Sequence, residues 1–163
     1  MTAPRPWSYS FFPCDCSPDS LGPFMPLVAL WQSRARARPL PCWSDFEITD
    51  FAGWHDMMTV DAVSHDPLDG LTLIWGSRLA EVFGYQARGM SWRGSATLRG
   101  LIAEDFAFLE RVCGEPCIGL ARGRLDWRER DHVAIESLQL PFAPADAPVD
   151  RTAAFRRIVP PTG

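Results

Sequence analysis

With 163 residues, 47% of them apolar and 12% aromatic, the chain holds one domain's worth of sequence and enough bulk for a single core, which excludes wholesale disorder. A formal net charge of −4 provides no global positive field to hold a polyanion, so no nucleic-acid partner is expected. No apolar run approaches the ~20 residues of a membrane span, and Ser8, Ser10 and Pro13 interrupt any apolar leader, so no membrane partner is expected.

The five cysteines, at 14, 16, 42, 113 and 117, are an odd number with no secretory signal before them, and the expectation is reduced thiols in a cytoplasmic protein. All sixteen basic residues are Arg, and the chain has neither Lys nor Asn, a bias expected of a GC-rich bacterial genome.

Residues 1–26 carry six prolines, at 4, 6, 13, 18, 23 and 26, with Trp7, Tyr9, Phe11 and Phe12 among them. Proline removes a backbone donor and fixes φ, so no regular element is expected and the segment reads as a removable N-terminal tail. The alternatives are a segment docked through its aromatics, or translation starting at Met25. The folded domain is expected over residues 27–159.

Residues 27–38 read as a helix, with Leu27, Leu30 and Trp31 as an apolar stripe and Arg34, Arg36 and Arg38 near its C-terminal end. Pro39 and Pro41 stop it. That much apolar surface on an N-terminal helix predicts packing on the sheet or on a second copy, and hence a homodimer. The three arginines are scattered around the helix, so they are read as a solvated end and not a phosphate site.

One or two helical turns are expected over 51–58, then strands at 59–63 and 71–75 joined by a turn ending in Asp69-Gly70. A short helix follows, with Leu79, Val82 and Phe83 on its apolar side and Gly84 at its end. Residues 86–99 read as loop. A longer helix covers about 101–113, with Ile102, Phe106, Leu109 and Cys113 as its stripe. Three strands close the chain, at 117–127, 132–140 and 152–159, and their turn connections make them antiparallel neighbours. The fold class is therefore α+β: one antiparallel sheet of about five strands with helices on one face and an N-terminal helix.

The order of hairpin, helical connector and three strands resembles the PAS fold. More closely, the chain resembles a family of small bacterial PAS-like proteins. Their features are a Trp-containing helix (Leu30-Trp31), an "LP" and an acidic step (Leu40-Pro41, Asp45-Phe46), and a Gly-Ser step (Trp75-Gly76-Ser77). Two spaced glycines (Gly84, Gly89) and a closing Leu140-Pro141-Phe142 complete the pattern. One departure stands out: the final strand, Ala153-Ala154-Phe155-Arg156-Arg157-Ile158, is more polar than the family's. The resemblance implies a sensory or protein-interaction module.

Three histidines each neighbour an aspartate (His55-Asp56, His65-Asp66, Asp131-His132), but sequence neighbours point apart and no metal site is expected. The Cys113/Cys117 and Cys14/Cys16 spacings lack a second paired unit. No nucleophile elbow, P-loop or dinucleotide loop is present, so no catalytic residue is nominated and the chain is not expected to be an enzyme. Glu136, in an apolar strand, is read as facing outward. Light-sensing flavin PAS proteins carry an Asn-Cys-Arg-Phe helix, which a chain without Asn cannot have, and haem types place an axial His on the longer helix, where 101–113 has none. No cofactor is expected.

Gly119, Ala121 and Gly123 alternate along one strand face, and three small residues there call for a spatial reason. Either a helix approaches closely or the face borders a cavity. The PAS-like arrangement sets Phe83 and Phe106 opposite, with Leu73 and Trp75 contributing from neighbouring strands. A cavity here is expected to be apolar and modest, fit for a small uncharged ligand. The expected function is a regulatory binding module that receives a small ligand or a partner protein. The alternatives are an enzyme on a similar half-barrel with a polar pocket, and a purely structural partner-binding domain.

Overall fold

The structure is a computed structural model that describes residues 7–125 and 130–160, without the side chains of 130–132. The reading of His132 therefore falls outside the described side chains. Six strands form one antiparallel sheet: Ser8–Phe12 (β1), Met58–Ser64 (β2), Asp69–Trp75 (β3), Ile118–Leu125 (β4), Arg130–Phe142 (β5) and Arg151–Val159 (β6). Their spatial order is β1-β4-β5-β6-β2-β3. The helices are Met25–Ala35 (α1), Leu79–Phe83 (α2), Ala96–Arg99 (α3) and Ala103–Gly114 (α4), with single 3-10 turns between α1 and β2. From β2 onward this is the expected α+β, PAS-like succession of hairpin, helical connector and three returning strands.

β1 corrects the reading of residues 1–26 as a region without regular structure. The prolines at 6 and 13 bracket residues 8–12 without interrupting them, so every donor in that window is free to pair. β1 pairs antiparallel with β4, from Ser8 opposite Arg122 to Phe12 opposite Ile118. Farther along, Leu21 and Phe24 are buried in the main core, and the Gln32 amide donates to the carbonyls of Cys14 and Cys16 at 2.9 and 2.7 Å. Packing thus begins well before residue 27.

α1 starts at Met25, with Pro26 in its first turn where a missing donor costs nothing. It ends at Ala35, three residues earlier than expected, because Arg36 takes a φ of 58°. Leu27, Val28 and Trp31 are buried, Leu30 is half-buried, and the Trp31 indole donates to the Pro141 carbonyl at 3.0 Å. The apolar stripe that pointed to a second copy is absorbed by the protomer's own core. Nor are the arginines after it simply solvated: Arg34 pairs with Asp50 at 3.1 Å and Arg38 with Asp45.

The sheet separates two environments. On the α1 side, Met58, Val60, Ile118, Leu138, Leu140, Phe142, Ala153 and Phe155 join Phe24, Val28 and Trp31 in one apolar cluster. The residues between them in the strands, such as Thr59, Asp61, Ala121, Ser137 and Arg156, face α2–α4.

β5 runs on through Pro141 to Phe142, past the expected stop at 140, because its β4 neighbour ends near there and demands no further donors. Glu136 is 6% exposed, contrary to the outward-facing reading, and its carboxylate is held by Arg122 at 3.2 Å and by Arg157. At the far edge, β3 is covered by the 89–92 segment. Thr72 donates to Met90, Gly89 to Thr72 and Trp92 to Gly70, at 2.8–3.0 Å.

Candidate functional site

A cavity of about 110 Å³ lies between the sheet and the α2–α4 connector. Its floor includes Thr59 and Asp61 of β2, Ala121 of β4, Ser137 and Gln139 of β5 and Arg156 of β6. Phe83, Tyr85, Arg99 and Phe108 wall it from above, and Trp7 and Tyr9 close one side.

Of the residues singled out from sequence, Trp75, Phe83 and Ala121 line this cavity; Gly119, Gly123, Leu73 and Phe106 do not. At Gly119 a Cβ would sit 2.5 Å from the Phe108 ring and 2.7 Å from Val112, so that glycine serves close packing of α4 on β4. At Gly123 a Cβ would meet the Trp7 ring at 2.2 Å, so the second glycine admits the N-terminal segment. Leu73 is 37% exposed because the β2–β3 register slips by one residue: Val60 faces Ile74 and Asp61 faces Thr72, leaving Leu73 unmatched. α4 is turned so that Phe108, Val112 and Cys113 are buried, while Phe106 lies under the Arg93 guanidinium and Ile102 is exposed.

The cavity is modest and its lining mainly apolar, as expected, but three charged side chains stand within it. Asp61 is 3% exposed and accepts a bond from the Thr72 hydroxyl at 2.6 Å. Burial pushes its carboxyl above the ordinary range, against the pull of Thr72, Arg99, Arg156 and the Trp92 indole. Arg99, at 7% exposure, donates to the same Thr72 hydroxyl at 3.2 Å and lies 5.3 Å from the centre of the Trp75 ring. Arg156 donates to Thr59 at 3.2 Å and lies 5.5 Å from the Phe83 ring centre. Burial brings Arg156 down to about 10, so it is still cationic at neutral pH.

Among the described residues, neither Arg99 nor Arg156 has a carboxylate within 4 Å. Arg99 Nε and Trp75 Nε1, both buried on lining residues, have no hydrogen-bond partner among the described residues. Asp105 also lines the cavity, but its two oxygens accept from the Tyr9 hydroxyl at 2.7 Å and from the Ile102 amide at 2.9 Å. The sequence reading missed Asp61, Arg99 and Arg156. The one signal was for Arg156, in the unexpected polarity of the final strand.

The thiols lie elsewhere. Burial pushes Cys14 up to about 11 and Cys113 up to about 12, with Cys117 adding to both shifts. His65 bonds to the Val149 carbonyl at 2.7 Å. Among the described residues no cluster of three or more His, Cys, Asp or Glu is placed to hold a metal ion, and no helix is long and apolar enough to cross a membrane.

No family model and no curated protein matches the chain. Among solved structures it is similar to one titled as an RNA-binding Light-Oxygen-Voltage receptor. That likeness has 14% identity and a TM-score of 0.48, over 73% of this chain and 36% of the other. The chain spans about a third of that structure's length.

Proposed function

We propose that this chain is a sensory-type regulatory module that binds a small molecule in the cavity between its sheet and the α2–α4 connector, and that it is not an enzyme. The observation that carries this reading is the set of buried charged and unpartnered donor groups in an otherwise apolar cavity. Buried donors left without partners are destabilising, by about 1–3 kcal/mol each, and a site that keeps them has a use for them. Their place on the wall of one cavity supports binding over simple packing. The thiols support the non-enzymatic reading, because a thiol raised that far supplies little thiolate at neutral pH and Cys14 and Cys113 lie outside the cavity wall.

The test is native mass spectrometry of the purified protein, joined to a thermal-shift screen of small metabolites. The expected result is a co-purified mass, or a class of compounds that raises the melting temperature of the wild type and not of a variant with the cavity blocked by Ala121→Leu. Turnover of a screened compound by the wild type, lost in Asp61→Asn, would move the assignment to an enzyme.

A further inference from the structure

We infer that the cavity is built for a small monocarboxylate held between the guanidinium groups of Arg99 and Arg156. This rests on the reading of the cavity as a small-molecule site and adds the ligand's charge and size.

The charge follows from the donors. The unmatched groups on the wall, Arg99 Nε and Trp75 Nε1, are both donors, and an arginine has no acceptor to offer a ligand. Both guanidiniums line the one cavity, and burial, joined by the charge on Arg99, depresses Arg156 against a smaller opposing pull from Asp61. Like charges so placed in a buried site are relieved by an anion between them. A carboxylate meets the need, because its two oxygens accept from planar guanidinium forks with a geometry no single neutral acceptor matches.

The other charges on the wall set the limit at one negative charge. Asp105 is committed to Tyr9 and to the first turn of α4, where the helix's positive end offsets it. Asp61 is held by Thr72 and disfavoured as an anion by burial. A phosphate, close to doubly charged at neutral pH, would bring its second charge to a wall that carries both carboxyls. A monoanion offsets one of the two guanidinium charges without adding a second negative charge to a wall that already carries Asp61 and Asp105.

The size follows from the volume. A cavity of about 110 Å³ is smaller than the ~150 Å³ apolar cavity known to accept benzene, so the ligand has about four or five heavy atoms. Trp75, Phe83 and Phe108 give its short apolar part aromatic walls.

The experiment titrates acetate, propionate and butyrate into the full chain, in chloride buffer at constant ionic strength, by calorimetry and thermal shift. Acetamide, propionamide and butyramide serve as neutral isosteres and inorganic phosphate as a second anion. The expected result is that the acids bind and raise the melting temperature while each amide binds at least about tenfold more weakly. Arg156→Gln should weaken the acids by about tenfold or more without lowering the melting temperature of the free protein, and Arg156→Lys should recover part of the loss. Arg156 is the better site to vary, because it is only half-buried and Arg99→Gln risks the fold. Amides binding as well as acids, or phosphate binding where acids do not, overturns the carboxylate and leaves a small-molecule site standing. Silence from every compound, in a protein that also carries no co-purified mass, overturns both.

Discussion

The two faces of the sheet are made by the same strands and obey different rules. Toward α1, alternate residues from Met58 to Phe155 fill one apolar cluster, with Trp43, Phe46, Phe51 and Phe142 stacked or edge-on within it. Toward α2–α4, the residues in between put Asp61, Gln139 and Arg156 beside aromatic rings and leave room between them. The first face is organised by volume, the second by charge. A single step along a strand, from Val60 to Asp61 or from Phe155 to Arg156, crosses from one regime to the other, so adjacent substitutions should fail in different ways.

The largest effect is expected on the α1 face. Phe155 is fully buried, with its ring 5.1 Å from Phe51, and Phe155→Ala should cost about 3–5 kcal/mol in denaturant unfolding. A loss below about 1 kcal/mol would show that this face is loosely packed.

Next is the N-terminal segment. A chain beginning at Ser17 loses the β1 ladder, the Tyr9–Asp105 bond and the contacts of Tyr9 and Phe11 with Phe108. It should lose about 3 kcal/mol or more and be markedly more sensitive to protease. An unchanged melting temperature would return the segment to the status of a removable tail.

Gly119→Leu comes third. With Phe108 and Val112 already within 2.7 Å of where its Cβ would be, the new side chain should overpack and cost about 1–3 kcal/mol. Normal stability would mean that α4 is free to move off the sheet.

The cavity face should respond in the opposite sense. Arg156→Met removes a desolvated cation that has no carboxylate partner among the described residues, and in the absence of ligand it should be neutral or stabilising by up to about 1 kcal/mol. Destabilisation by more than that would mean the guanidinium is fully satisfied within the free protein.

The smallest effect is one of pH. The Asp61 carboxyl lies above its unfolded value, so its contribution to stability is fully present below the unfolded pKa of about 3.9 and is lost as pH rises through the folded value. Asp61→Asn does not titrate. Its melting temperature relative to wild type should therefore climb between about pH 4 and neutrality. A difference that stays flat across that range would place Asp61 in an ordinary environment.

Much of the fold was legible, because β2 through β6 follow alternation, turn chemistry and helix stops that act locally. The misses have physical causes of another kind. β1 was hidden by counting prolines across 26 residues, when what matters is whether one falls inside the five that pair. Leu73 was placed in the cavity because a one-residue slip between β2 and β3 leaves no trace in the alternation of either strand. Phe106 was placed opposite the small residues because it fits the stripe of 102, 106, 109 and 113, whereas the packing of α4 on Gly119 turns Phe108 inward in its place. Arg99 was beyond reach, since it ends a four-residue helix in a stretch without periodicity. Arg156 was visible as an oddity of composition, and its polarity proved to be the mark of the site.

The short strand β1 also bears on how the sheet meets other sheets. An open edge with unpaired amides and carbonyls is a template on which another chain can add, and folds that persist as separate molecules blunt it. β1 is an edge of only five residues, with Pro6 and Pro13 on either side of it in sequence, so it offers a visiting strand a ladder too short to extend. At the opposite edge the 89–92 segment already occupies the outward groups of Gly70 and Thr72 on β3. The sheet is thus covered by its own chain at the β3 edge and ends at the other in a strand of five residues, so lengthening the sheet with a second molecule is disfavoured at both.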